Sequence, residues 1–145
     1  IIPGSSPHKP TKRWSAEKYA NLSNSLYELG ITSYLAGTKI ERNIAMEVCT
    51  YSRASEILID KTSLKELAQI FANAQFIVGN DTGPTFLAAR TGAPTLMIMG
   101  ADTNPYKSSP TGSAAGFIYN ADIQAITTQE VLNKVRELGG LSHLK

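Results

Sequence analysis

A single cysteine, Cys49, stands in a chain of 145 residues, so no intramolecular disulfide can form, which fits a reducing compartment. Histidine is almost as scarce. His8 and His143 lie at opposite ends and no Cys/His cluster accompanies them, which argues against a zinc site. Charge of one sign is also missing. Fourteen Lys and Arg against twelve Asp and Glu give a net +2, too little for a nucleic-acid-binding surface, so any electropositive site must be local. No apolar run approaches the length of a membrane-spanning helix, and no segment has the organisation of a signal peptide. The sequence lacks Gly-x-Gly-x-x-Gly, the Walker pattern and Gly-x-Ser-x-Gly, which argues against dinucleotide oxidoreductases, P-loop NTPases and serine hydrolases of the elbow type.

What is present is ordinary for a single globular domain: 42% apolar and 18% charged residues. Short apolar runs alternate with amphipathic stretches, the pattern of βα units around a parallel sheet. Strands are predicted at Ile1-Ile2, Ile31 to Ala36, Glu56 to Ile59, Gln75 to Val78, Thr95 to Met99 and Gly116 to Tyr119. They are short and mostly unalternated, as strands covered on both faces are. Ser15 caps a helix carrying Tyr19, Leu22, Leu26 and Leu29, and Gly30 ends it. Ser63 with Glu66, and Thr127 with Glu130, form capping boxes ahead of apolar helical stripes, the second stopped by Gly139-Gly140. Helices are also expected from about Lys39 to Tyr51 and from Gly83 to Thr91, and the segment from Ala101 to Ala115 reads as a loop. Ile1-Ile2 looks like the tail of a buried strand running straight into Pro3-Gly4 without an initiator Met, so the expectation is one domain, residues 1–145, cut from a longer chain.

In open α/β sheets ligands bind beyond the carboxyl ends of the strands, and three unusual segments fall there. The first, from Pro3 to Trp14, offers Ser5 and Ser6 hydroxyls and three cations, Lys9, Lys12 and Arg13, just ahead of a helix. Hydroxyls, backbone amides, charge and a helix N-terminus together suit a diphosphate. The same composition also makes a solvated basic loop with Trp14 packed at the helix start. The second is Gly79-Asn80-Asp81-Thr82-Gly83-Pro84. Thr82 and the amides after it could receive a phosphate oxygen, whereas Asp81 suits a hydroxyl, a cation or a plain Asx turn. The third is Gly37-Thr38-Lys39-Ile40-Glu41, where Glu41 either accepts from a nucleoside hydroxyl or amino group or serves as a first-turn carboxylate.

These blocks, taken in order with Lys61-Thr62-Ser63-Leu64-Lys65-Glu66-Leu67 and Gly92-Ala93-Pro94-Thr95, resemble the C-terminal domain of glycosyltransferase family 9, the ADP-heptose:lipopolysaccharide heptosyltransferases. The resemblance covers roughly residues 1 to 105. It implies the Rossmann-like, nucleotide-sugar-binding half of a two-domain GT-B enzyme that inverts the anomeric centre, with no cofactor and no obligatory metal. Carried over by position, Ser5, Ser6 and Lys12 would contact the donor diphosphate and Glu41 the nucleoside. Thr62 would lie near the base, and Asp81, Thr82 and Gly83 would meet the diphosphate and sugar. The implied partners are a nucleotide-sugar donor, ADP-heptose by family, and a lipopolysaccharide core acceptor bound through an N-terminal half. The implied location is the cytoplasm, including the inner face of the inner membrane.

One departure stands out. The family pattern Asp-Thr-Gly-Pro-Met-His reads Asp81-Thr82-Gly83-Pro84-Thr85-Phe86 here, and phenylalanine cannot donate to a phosphate. Two other readings therefore accompany the enzyme: a noncatalytic nucleotide-sugar-binding or interaction domain, and a GT-B transferase using another donor. No catalytic residue is expected within these residues, and the isolated chain is expected to be inactive.

Overall fold

The computed structural model describes residues 1–4 and 13–142. Helices and strands alternate along it: α1 (Ala16–Glu28), β1 (Ser33–Leu35), α2 (Arg42–Tyr51), β2 (Ser55–Ile57), α3 (Leu64–Asn73), β3 (Ile77–Asn80), α4 (Gly83–Arg90), β4 (Thr95–Met99), α5 (Pro105–Ser108), β5 (Ala115–Tyr119) and α6 (Thr128–Glu137). The local signals explain most boundaries. The Ser15 hydroxyl accepts from the Lys18 amide to start α1, and both expected capping boxes form at α3 and α6. At the end of α1, Gly30 takes φ +81° while its amide bonds Tyr27 and that of Ile31 bonds Leu26. Only this left-handed residue lets two successive amides close back on the helix end. Gly139, at φ +88°, repeats the device after α6.

β1 pairs with β2, and β3 with β4 and β4 with β5, all in parallel. Ile1 and Ile2 join the two sets. The Ile1 nitrogen donates to the Tyr34 carbonyl and its carbonyl accepts from Ala36. On the other side, the Ile2 amide donates to Val78 and its carbonyl accepts from Asn80. The order is therefore β2-β1-(Ile1-Ile2)-β3-β4-β5, in which the direction of winding reverses between Ile1-Ile2 and β3. That reversal is where doubly wound sheets bind ligands.

Helices cover both faces. α1, α2 and α6 bury Tyr19, Leu22, Leu26, Val48, Val131 and Val135 with Leu35, Val78, Leu96 and Ile98. α3 and α4 bury Leu67, Phe71 and Ala88 with Ile2, Ala36 and Ile77. Neighbours such as Ile77 and Val78 go to opposite clusters because strand side chains alternate across a sheet, and both are buried because both faces are covered. The expected doubly wound parallel sheet is thus observed. Among the described residues no helix is long and apolar enough to cross a membrane.

Four expectations need correction. The strand predicted at Gln75–Val78 lies at Ile77–Asn80, so Gly79 and Asn80 are strand rather than loop; hydrogen bonds to Ile2 hold them there. The helix predicted from Lys39 to Tyr51 opens with a 3-10 turn, Lys39–Glu41, because Glu41 folds back on Thr38 before α2 begins. The predicted strand at Ile31–Ala36 shortens to Ser33–Leu35. The loop from Ala101 to Ala115 contains α5, capped by Asn104 with Pro105 in the first turn.

Candidate functional site

Because the strands are parallel, every loop of interest emerges on one edge of the sheet. Gly4 leaves Ile2, Gly37-Thr38 leaves β1, Thr62 lies in the bend between β2 and α3, and Asp81-Thr82-Gly83 leaves β3. Glu41, Thr62, Asp81, Thr82 and Gly83 therefore share the carboxyl edge. Ser5, Ser6 and Lys12 lie outside the described residues, but both ends of their segment are described.

Those ends are tied together by a residue that sequence reasoning had read as part of a turn. Asn80 is fully buried at the end of β3. Its Oδ1 accepts from the Trp14 amide at 3.1 Å and the Tyr19 hydroxyl at 2.8 Å. Its Nδ2 donates to the carbonyls of Pro3 at 2.8 Å and Gly4 at 3.1 Å. Two donors on one side and two carbonyls on the other fix which way the amide points. Burial pushes the Tyr19 phenol well above its ordinary pKa, so it stays a donor. Asn80 thus ties residues 3–4 to residue 14 at the end of β3, beside the switch point. Trp14 strengthens the downstream end: its Nε1 donates to the Ile126 carbonyl and its ring meets that of Tyr19 edge-on at 5.0 Å. Gln124 brackets the same end, accepting from the Ser15 amide and donating to the Arg13 carbonyl. The bland reading of Trp14 holds, but as the anchor of the candidate loop rather than an alternative to it.

Glu41 is buried, and its Oε2 accepts from the Thr38 amide at 2.7 Å and hydroxyl at 2.5 Å. Its stem lies directly on Gly4, where an added Cβ would come within 1.7 Å of Glu41 Cγ. The capping role is therefore realised in one carboxylate oxygen. The same contact seats Glu41 against the start of the candidate diphosphate loop.

Asp81 Oδ2 accepts from the Thr103 hydroxyl, which links the β3 loop to the loop after β4. Thr82 stands at the N-cap of α4, yet its side chain does not cap the helix; its hydroxyl instead lies 3.3 Å from that of buried Thr85. The start of α4 therefore keeps donor capacity for an outside acceptor, the arrangement that suits an anion. Around Gly83 nothing lies within 4 Å of an added Cβ, so the protein itself has room for a side chain there. Phe86 sits one turn into this helix, partly buried. Among the described residues no group of three His, Cys, Asp or Glu side chains is placed to hold a metal ion.

Residues 1–138 match the family model of glycosyltransferase family 9 (heptosyltransferase). The chain belongs to glycosyltransferase family 9. Among curated members of that family it is 26% identical to lipooligosaccharide heptosyltransferase 2 of Haemophilus influenzae, over 89% of this chain and 44% of that protein. It is 25% identical to the solved E. coli ADP-heptose lps heptosyltransferase II, with a TM-score of 0.87 over 99% of this chain and 46% of that one. The fold also matches E. coli heptosyltransferase WaaC with ADP, at a TM-score of 0.82 and 24% identity over 94% of this chain and 42% of that one. This family 9 chain spans less than half the length of these relatives.

The geometry at Gly83 separates a ligand role from a structural one. Gly83→Ala is expected to leave the fold intact and raise stability by about 0.4–1 kcal/mol, because the less flexible residue loses less entropy on folding. If the start of α4 faces a ligand, the same methyl is expected to weaken nucleoside diphosphate binding. Thermal unfolding and calorimetry on one variant read both effects.

Proposed function

We propose that this chain is the donor-binding half of an inverting glycosyltransferase that moves a heptose from ADP-heptose to a lipopolysaccharide core, its acceptor being held by a further N-terminal domain. The observation that carries this reading is the buried Asn80 amide at the end of β3, beside the start of α4, which ties Pro3-Gly4 and Trp14 together at the two ends of one segment. Its sequence, with Ser5, Ser6 and Lys12, has the chemistry of a diphosphate cradle. The similar E. coli proteins, an ADP-heptose lps heptosyltransferase II and heptosyltransferase WaaC with ADP, agree with that ligand class.

In this reading Ser5, Ser6, Thr82 and the Gly83 amide receive diphosphate oxygens. Lys12 stabilises the charge that grows on the departing diphosphate, which is where glycosyl transfer needs electrostatic help. Glu41 and Thr62 lie on the β1–β2 side of the switch point, where the nucleoside would extend, and Asp81 lies on the other side toward the sugar. The general base for the acceptor hydroxyl comes from the other half, and closure of the two halves excludes water.

The 145-residue chain is expected to bind ADP at least as well as UDP in calorimetry, and to give only background transfer with a lipopolysaccharide acceptor. Lys12→Ala is expected to weaken ADP binding by roughly 1.5–3 kcal/mol, the range for a hydrogen bond to a charged group, while leaving the melting temperature almost unchanged. Robust transfer by these residues alone would overturn the half-enzyme reading. Phe86, at the position where the family pattern has histidine, favours a second reading: a nucleotide-sugar-binding domain without turnover. Full-length protein that binds donor yet transfers nothing would select it.

A further inference from the structure

Beyond the β3 loop, on the side away from Ile1-Ile2, the carboxyl edge carries a second concavity. The segment following β4 and the end of β5 enclose a cleft of about 480 Å³. Its walls include Asp102, Thr103, Asn104, Tyr106, Phe117 and Tyr119. Phe117 and Tyr119 are two apart on β5 and so share one face of the sheet. The α5 segment lines the cleft with these rings, which are not sealed into the core: Phe117 is half-buried. Tyr119 is 44% exposed, and Tyr106, from α5, is 91% exposed.

We propose that this cleft is a subsite for a pyranose ring, one face of which lies against the rings of Tyr106 and Tyr119. Three observations converge on that occupant. Exposed aromatic rings offer flat apolar surface with a polar tip, which suits the C–H face of a sugar flanked by its own hydroxyls. The polar groups beside them are those a polyol needs: the Asp102 carboxylate as acceptor and the Asn104 amide, whose Oδ1 takes the Tyr106 backbone N–H while its NH2 group supplies donors. Such a mixture suits a polyol better than the apolar face of a partner helix. The third observation is position. The Thr103 hydroxyl in the cleft wall bonds Asp81 at the end of β3, and β4 and β5 stand one and two strand spacings from β3, about 5 and 10 Å. A ring in the cleft would therefore adjoin whatever Asp81 holds. The placement next to a donor site rests on the function proposed above, whereas the chemistry of the cleft does not. The ring could be the sugar of the donor or one from the acceptor.

The test is 19F NMR of the 145-residue chain labelled with 3-fluorotyrosine, combined with amide spectra, using ADP, an ADP-hexose and a methyl heptopyranoside as probes. Tyr106 and Tyr119 resonances are expected to move with a sugar-bearing probe and to stay still with ADP. A response to the free glycoside assigns an acceptor-side ring; a response to the ADP-hexose alone assigns the donor's own sugar. Tyr106→Ala with Tyr119→Ala should weaken the responding sugar probe by roughly tenfold, the scale of one well-placed aromatic contact, with ADP affinity unchanged. Should the double variant misfold, Tyr106→Ala alone carries the test, since that side chain is almost wholly exposed. If ADP perturbs the Thr82–Phe86 amides while neither sugar moves the tyrosines, the subsite is overturned and the donor site stands. If ADP perturbs nothing, the donor site fails, and the free glycoside still decides the cleft.

Discussion

Replacing Asn80 with alanine is expected to destabilise the chain by roughly 3–5 kcal/mol and to remove nucleoside diphosphate binding under conditions where the remaining protein is folded. The reasoning follows from the four bonds of one buried amide. Deleting it leaves the Trp14 amide, the Tyr19 hydroxyl and the carbonyls of Pro3 and Gly4 without that partner in a place largely closed to water. Each orphaned buried group is costly on its own, and the loss is greater than that of the hydrogen bonds themselves because their alternatives in water are blocked. Gly4 and Trp14, which bracket residues 5–12, would also lose their tie to each other, so the affinity loss should exceed what reduced stability explains. Asn80→Asp separates the two faces of the amide. It keeps the acceptor for Trp14 and Tyr19 but turns a carboxylate oxygen toward two carbonyls. Denaturant unfolding should show it destabilised as well. A stability for Asn80→Ala within about 0.5 kcal/mol of the parent, the range of ordinary surface changes, would refute the clamp.

Gly79→Ala is expected to be nearly as damaging, by about 2–3 kcal/mol or more, although alanine in a strand is usually no worse than glycine. An added Cβ would stand 2.4 Å from Thr85 Oγ1, 2.9 Å from Ile2 Cβ and 3.2 Å from the Ile2 carbonyl oxygen. Thr85, buried within α4, can yield only by turning its hydroxyl away or shifting that helix, and Ile2 only by moving its own strand. The methyl group therefore pushes apart the two elements that flank the switch point. Calorimetric unfolding should show the lost stability, and ADP titration a weaker site. A Gly79→Ala,Thr85→Ala pair should recover part of both, because it removes the nearer obstacle. Failure of the pair to recover anything would place the strain at Ile2 alone.

The helix starts were legible because their determinants are local. Ser63 and Glu66, or Thr127 and Glu130, lie within three residues of each other and act through the amides beside them. Asn104-Pro105 carries a comparable signal for α5, but the surrounding Ser, Thr, Pro and Gly outweighed it and the segment read as loop. Strand existence was legible from unalternated apolar runs, while strand ends were set by partners. β3 extends through Asn80 because Ile2, far away in sequence, accepts its amide. The candidate site divides in the same way. Residue types at Glu41 and Asp81-Thr82-Gly83 singled out segments that the fold places together at the carboxyl edge of the sheet. The role of Asn80 did not show, since its partners lie 61 to 77 positions away and nothing within the turn motif reveals them. Thr103 escaped for the same reason: its bond to Asp81 crosses from the loop after β4.

Joining of the sheet at Ile1-Ile2 has a consequence for biosynthesis. On one flank this dipeptide meets residues 34 and 36, and on the other residues 78 and 80, so its second set of bonds must await the emergence of β3 from the ribosome. Until then β1 and β2 have no link to the rest of the sheet, and the clamp on residues 3, 4 and 14 has no Asn80 to form it. Closing so long a segment is entropically costly and slow relative to forming α1 or α2. A nascent chain halted before residue 77 would carry those helices but no organised ligand edge. The carboxyl edge around Asn80 is thus among the last features of this half of the sheet to mature.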